Sequence, residues 1–369
     1  MKKFVVILLM VLFVSGGFCA DELRGVWLRP PSDPAQIPVM LDEIADAGFN
    51  AVFVETFYHG FTISKNSPIP TRPEFEGKDI LKKFIREGHK RGLEVHAWVE
   101  VFYWEVDTKK HPEFPKSPLL EEHPEWVSKL KNNDETWKSE DSHRFANPAH
   151  PEVRKLLVDY FKDLLERYNL DGLNLDYIRY CSGYTDAGYD EYTINLFKSE
   201  MKYNPTNMCK CKKAKWQEWI KWRENQVTGF LREVRDMQRE TKPDILLSAD
   251  IFSQYYKKGN PSQFIFQDWQ TWSKDLLIDA VIPMAYGSSL DSVSQEIEAV
   301  NKRIQPSVKL MPGLAIGTNK KDKYSSADHP PIADQIDLVR NLSLPGHVTF
   351  CYKWIMDSDE GFKSYKDVY

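Results

Sequence analysis

Short β-rich runs alternate with helix-like stretches along most of the chain, and this alternation limits the fold more than any other feature. The strands read as 24–29, 51–57, 94–100, 172–179, 246–252, 280–286, 309–317 and 348–353. Helical patterns fill 35–47, 79–91, 151–168, 216–240, 291–303 and 332–341. Strands joined by helical crossovers pair in parallel, since an antiparallel return needs only a tight turn. Eight such units predict an α/β fold of the (β/α)8 TIM-barrel kind, with a doubly wound open sheet as the alternative. Such a barrel takes roughly 250 residues, whereas this chain has 369. The surplus falls in two long insertions, at about 102–149 and 181–215, in the loops after strands 3 and 4. Loops at that end of the strands build the active-site face of such barrels.

The first twenty residues read as an address rather than as fold. Lys2 and Lys3 precede an apolar run over 4–14 and then Ser15, Gly16 and Gly17. That is a secretory signal peptide, leaving 21–369 as a single barrel domain in a secreted or periplasmic protein. A lipid anchor at Cys19 is the alternative. The apolar run is short for a bilayer span and no later segment approaches it, so no integral membrane span is expected. Cys181, Cys209, Cys211 and Cys351 are few for an exported chain. They read as loop thiols, with a bridge from Cys181 to Cys209 or Cys211 as the alternative. Forty-nine basic against fifty-four acidic residues give a net charge of −5, which argues against a nucleic-acid partner.

Side chains alternate across a strand, so parity separates barrel interior from helix-facing surface. In 94–100, Val95, Ala97 and Val99 form the apolar set, leaving His96, Trp98 and Glu100 to point inward. In 172–179, Leu173 and Leu175 face out while Asn174 and Asp176 face in. In 246–252, Ser248 and Asp250 are the inward pair. Glu55 lies near the end of the second strand, and Met284 with Tyr286 at the end of the sixth. Glu55, Glu100, Asp176 and Asp250 therefore converge on one rim. Burying ionised groups is costly unless they are paired or functional. Arg24, Arg29 or Arg179 could neutralise one or two of them.

Two carboxyl groups in a cleft are what glycosidic cleavage needs: one protonates the leaving oxygen, the other attacks carbon or activates water. Other chemistries lack their motifs. No H-x-H or H-E-x-x-H pair and no Cys/His cluster of ligand spacing is present, so neither metal nor cofactor is expected. Nucleophile-elbow, P-loop and dinucleotide fingerprints are also missing. Aromatic residues make up 13% of the chain. Trp104, Phe114, Trp126 and Trp137 in the first insertion read either as a wall on which sugar rings stack or as the small core of a self-packed lid.

The fourth strand carries a recognisable text, Asp171-Gly172-Leu173-Asn174-Leu175-Asp176-Tyr177-Ile178-Arg179-Tyr180. It resembles the D-G-[IL]-x-[LF]-D-Y-x-R-Y signature of the bacterial glycosyl-hydrolase-like barrel family, the family-ten glycosylhydrolase-like proteins. Arg24-Gly25-Val26-Trp27, Gly92 to Trp98, His123-Pro124-Glu125-Trp126, Asn147 to Arg154, Gln267-Asp268-Trp269 and Pro283 to Tyr286 match other family segments in order. The strand is also similar to the D-G-x-D-x-D-x-E strand of family-eighteen chitinases. The acid of that motif falls on Ile178, which excludes its mechanism here.

The resemblance implies an exported glycoside hydrolase acting on a polysaccharide or cell-wall-derived glycan, with Asp176 as nucleophile or base. Glu100, Asp250 or Glu55 is left as proton donor. Asp250 stands where the family pattern S-A-A-x-F has an alanine. His96, Trp98, Asn174, Tyr177, Arg179 and Tyr286 are the expected substrate-binding residues, although Tyr177 and Arg179 have the opposite parity to Asp176. A non-catalytic carbohydrate-binding barrel, and a barrel whose carboxylates serve only internal ion pairs, are the competing readings.

Overall fold

Eight parallel strands close on themselves: β1 (Leu23–Leu28), β2 (Ala51–Tyr58), β3 (Glu94–Glu100), β4 (Gly172–Asp176), β5 (Leu246–Ile251), β6 (Ala280–Pro283), β7 (Lys309–Leu310 and Gly313–Ala315) and β8 (Gly346–Phe350). The computed structural model describes residues 22–135, 143–181, 186–208, 213–253, 266–317 and 329–369. The signal-like segment, Trp137, Cys209 and Cys211 lie outside the described residues. Neighbouring strands pair in sequence order, and β1 pairs with both β2 and β8. The first half of β7 pairs with β6 and its second half with β8, so the sheet is a closed barrel. Pro312 divides β7, because a residue without an N–H cannot continue the ladder.

Helices follow the strands as the pattern requires: α1 (Ile37–Asp46), α2 (Ile80–His89), α3 (Pro151–Arg167), α4 (Lys213–Thr241), α5 (Trp269–Lys274), α6 (Leu290–Asn301), α7 (Ile332–Asn341) and α8 (Tyr352–Asp357). Their starts are chemically marked. Asp79 accepts from the Lys82 amide at 3.1 Å at the head of α2, Asp268 accepts from Thr271 at the head of α5, and α3 opens on Pro151. Neither α5 nor α8 is visible in the sequence pattern. Each has six residues, fewer than two turns, too few for a 3.6-residue period to declare itself.

Two apolar layers result. Val26, Val52, Val54, Val95, Ala97, Val99, Leu173 and Leu175 pack outward against the helices. Trp27, Ala51, Phe53, Trp98, Ala280, Ile282, Met311 and Val348 fill the barrel itself. Trp27 sits at the centre of this plug, its ring 5.9 Å from Phe53, 6.5 Å from Trp98 and 5.9 Å from Phe350. Its indole N–H donates to Asn174 Oδ1 at 3.3 Å. The plug is therefore an aromatic floor beneath the mouth.

Two strands depart from simple alternation. A bulge after Glu55 shifts the β2–β3 register, so Phe57 packs with Trp104 and Tyr160 on the helix side although it shares parity with the inward Glu55. β4 ends at Asp176, not at 179 as expected, because Tyr177 takes a left-handed conformation with φ of 49°.

The inserted segments pack onto the same end of the barrel. Trp104 and Trp126 are buried and meet edge to face at 6.1 Å, so both belong to a core rather than to an open stacking wall. Phe114 is half-buried against Tyr58 and His59. In the second insertion, Trp219 and Trp222 of α4 pack with Phe197 of a helix at Glu191–Met201. Cys181 is buried just past the end of β4. No helix among the described residues is long and apolar enough to cross a membrane.

Candidate active site

Parallel pairing in register sets Glu100 of β3 directly beside Asp176 of β4. Neighbouring strands in a sheet lie about 4.8 Å apart, so the two carboxyl groups rise side by side at the mouth. Asp176 Oδ2 accepts the Trp98 indole N–H at 3.1 Å, and Oδ1 accepts the Tyr177 amide at 2.7 Å. The left-handed turn at Tyr177 is what brings that amide back onto the side chain. Two N–H donors favour a charged acceptor.

Glu100 is in the opposite situation. It is 2% exposed, and among the described residues its Oε2 has no hydrogen-bond partner. Burial pushes its carboxyl well above the usual carboxylate range, and the negative charges of Glu55 and Asp176 push the same way, against Arg29 and Arg72. Asp250 of β5 is also raised well above its ordinary value, first by burial and then by Asp176. Asn174 donates to its Oδ1 at 2.8 Å and opposes the rise. Asn174 in turn reaches Ser248 at 3.1 Å and receives the Trp27 N–H, which ties Asp250 to the aromatic floor. The mouth thus combines one carboxylate held by N–H donors with two acids whose surroundings favour the protonated form.

The fourth predicted carboxylate, Glu55, is fully buried and ion-paired. Arg29 Nε lies 2.8 Å from Oε1 and Arg72 Nη1 3.7 Å from Oε2. Arg29 was among the foreseen neutralising cations; Arg72 comes from the β2–α2 loop and was not. Arg24 is spent elsewhere, on the Gly48 carbonyl at 2.6 Å.

The expected substrate-binding residues separate by height in the barrel. Tyr286 is half-buried at the mouth against Phe350, and its phenol is raised by burial and by the nearby Asp250 and Asp176. Tyr177 packs 4.9 Å from Tyr103. The Arg179 guanidinium lies 4.5 Å over the Tyr177 ring and 4.9 Å over Phe252. Trp98 and Asn174 are buried and act on Asp176 and Asp250. His96 lies away from the mouth: four residues before Glu100, it sits about 13 Å toward the opposite end. There it stacks on Phe53 at 4.4 Å and reaches Glu94 at 3.0 Å. A Cβ on Gly172 would stand 1.8 Å from its Nδ1, so only glycine admits the ring.

One part of the mouth carries no sequence motif. Tyr58 and His59 stack at 3.6 Å, and His59 Nε2 meets the Tyr103 hydroxyl at 2.7 Å. Tyr103 stacks on His143 at 4.0 Å. Burial, followed by His143, Arg29 and Arg72, pushes the His59 imidazole well below its ordinary value, so it stays neutral. The position of Tyr58-His59 at the end of the Glu55 strand was the available signal. Among the described residues no group of three or more His, Cys, Asp and Glu could hold a metal ion. Two surface clefts of about 440 and 530 Å³ lie among the outer helices, and no mouth carboxylate lines them.

The family described as Glycosyl hydrolase-like 10 matches residues 22–328. The chain is 22% identical to glycosyl hydrolase YngK of Bacillus subtilis (strain 168), over 75% of this chain and 56% of that protein. It is 23% identical to glycosyl hydrolase DigH of Escherichia coli (strain K12), over 72% of this chain and 66% of that protein. The chain thus spans about half to two-thirds of these relatives. Among solved structures, the PgaB (BpsB) glycoside hydrolase domain from Bordetella bronchiseptica superposes with a TM-score of 0.69 at 16% identity, covering 94% of this chain and 98% of that one. The catalytic domain of β-amylase from Paenibacillus polymyxa gives 0.67 at 12% identity, covering 95% and 98%. These likenesses share the fold.

Proposed function

This chain belongs to the glycosyl hydrolase-like 10 family, and from that premise we propose that it is an exported glycosidase cleaving O-glycosidic bonds of a polysaccharide or cell-wall-derived glycan. The observation that carries the reading is the register pair Glu100–Asp176, in which one carboxyl keeps its proton while its neighbour is held by N–H donors. Glycosidic cleavage needs two carboxyl groups in different protonation states. Asp176 serves as nucleophile or base, fixed in orientation by Trp98 and Tyr177. Glu100 serves as proton donor. Its Oε2 is uncommitted, whereas Asp250 is anchored through Asn174 to Trp27. Asp250 is a positioning residue: as a neutral acid it limits the negative charge facing Asp176. Glu55 is already neutralised by two arginines and takes no proton-transfer role. Tyr286, Tyr177 and Arg179 line the mouth for the sugar.

Export rests on the basic and apolar pattern of residues 1–20. A glycan panel tests the function. The wild-type chain hydrolyses at least one glycan, and Asp176→Asn binds that glycan with hydrolysis lowered by orders of magnitude. Binding without turnover in the wild type would favour the non-catalytic barrel. A collapse of melting temperature in Asp176→Asn with binding unchanged would favour a purely structural carboxylate.

A further inference from the structure

Arg29 follows β1 and shares parity with the inward Trp27, so its side chain reaches over the mouth. It is open to solvent, 56% exposed, while the rings beneath it are sealed. Three contacts fix its plane. Its Nε donates to Glu55 Oε1 at 2.8 Å, and its guanidinium carbon stands 5.2 Å from the Tyr58 ring centre and 5.9 Å from that of Trp98. Among the described residues its two terminal nitrogens make no hydrogen bond.

The charges around it are unevenly used. Glu55, fully buried, is shared with Arg72, and Arg72 spends its remaining donors on Glu74 at 2.7 and 2.9 Å. Neutralising Glu55 therefore occupies one edge of the Arg29 guanidinium and leaves the outer edge open. A planar, pre-oriented fork with two open N–H groups matches the two oxygens of a carboxylate. Trp98 connects this fork to the chemistry: its ring lies under Arg29 while its N–H holds Asp176 at 3.1 Å. A glycan held at Asp176 would lie beside the open edge of this fork.

We propose that Arg29 is an anion-recognising subsite beside Asp176, selecting glycans whose bound unit carries a carboxylate. The inference rests on the glycosidase reading and adds the chemical class of the substrate. The competing role, neutralising Glu55 alone, predicts no effect of substrate charge.

The experiment uses Asp176→Asn, chosen to suppress turnover, and uronate-bearing oligosaccharides each paired with its carboxyl-reduced neutral counterpart. Calorimetry reads the ratio of the two dissociation constants. The acidic member of at least one pair binds more tightly, and its advantage falls roughly 10- to 100-fold when Arg29→Gln is combined with Glu55→Gln. The double change removes the cation together with the carboxylate it pairs, so that no unpaired buried charge threatens folding. Arg29→Lys keeps the charge without the fork and retains only part of the preference. Neutral members binding as tightly as acidic ones, or a preference that survives the double change, overturns the inference. If neutral glycans are hydrolysed without regard to charge, the inference falls alone. If the wild type neither binds nor cleaves any glycan, the glycosidase reading falls first.

Discussion

Replacing Trp98 by phenylalanine removes the N–H that holds Asp176 while leaving a ring in the barrel plug. The donated bond is 3.1 Å long and its donor residue is 2% exposed, so water does not replace it readily. A hydrogen bond to a charged group contributes about 1.5–3 kcal/mol. If that holds the carboxylate in its reactive form and orientation, kcat/KM falls about 10- to 150-fold. Losing an N–H donor favours the protonated acid, so the acid limb of the pH–rate profile moves to higher pH. The smaller ring leaves a void beside Trp27 and Phe350, which stand 6.5 and 6.4 Å away, and costs about 1–2 kcal/mol of stability. Steady-state kinetics across pH, with a thermal melt on the same samples, separates the effects. Loss of stability with kcat/KM within twofold of wild type and an unmoved acid limb would refute the positioning argument.

Other perturbations follow from the same contacts. Glu100 keeps in the folded state a proton that the unfolded chain releases near its ordinary value, so wild-type stability falls as pH rises from about 4.3 toward the raised value; Glu100→Gln should melt higher than wild type at pH 8 and nearly equally at pH 4. Glu224 on α4 is pushed up to about 7, chiefly by burial, so Glu224→Gln should flatten the part of the stability curve that declines between about pH 4.3 and 7, readable by denaturant titration. Trp27→Ala opens the centre of the plug and should cost about 3–5 kcal/mol in the same titration, with lost activity, since Asn174 and Asp250 lose their anchor.

The barrel was legible because its signal is repeated: eight apolar strands separated by amphipathic helices leave few other folds. Parity along β3 and β4 located Glu100 and Asp176 on one inner face, since a strand of five to seven residues without a bulge keeps its alternation. Alternation itself breaks at Phe57, where one extra residue in β2 reverses the face, and at Tyr177, where a positive φ ends the strand earlier than expected. No pattern distinguishes height along a strand by function, and this is why His96 was grouped with Glu100 although it serves the opposite end. Ion pairs were half legible. Arg29 lies at a strand end and could be nominated for Glu55, whereas Arg72 reaches it from a loop whose path no local signal gives. Trp104 and Trp126 could be read as stacking surface or as core, because an inserted aromatic segment reads the same whether it faces sugar or its own interior; their burial decides for the core.

In the proposed reaction Glu100 holds its proton beside the carboxylate of Asp176. The most direct measurement is the pH dependence of kcat/KM for wild type and Glu100→Gln on an aryl glycoside whose leaving group departs faster with a proton but can leave without one. The wild type should show an alkaline limb above the ordinary carboxylate range, and Glu100→Gln should keep turnover on this substrate while losing that limb. An alkaline limb that persists unchanged in Glu100→Gln would contradict the assignment.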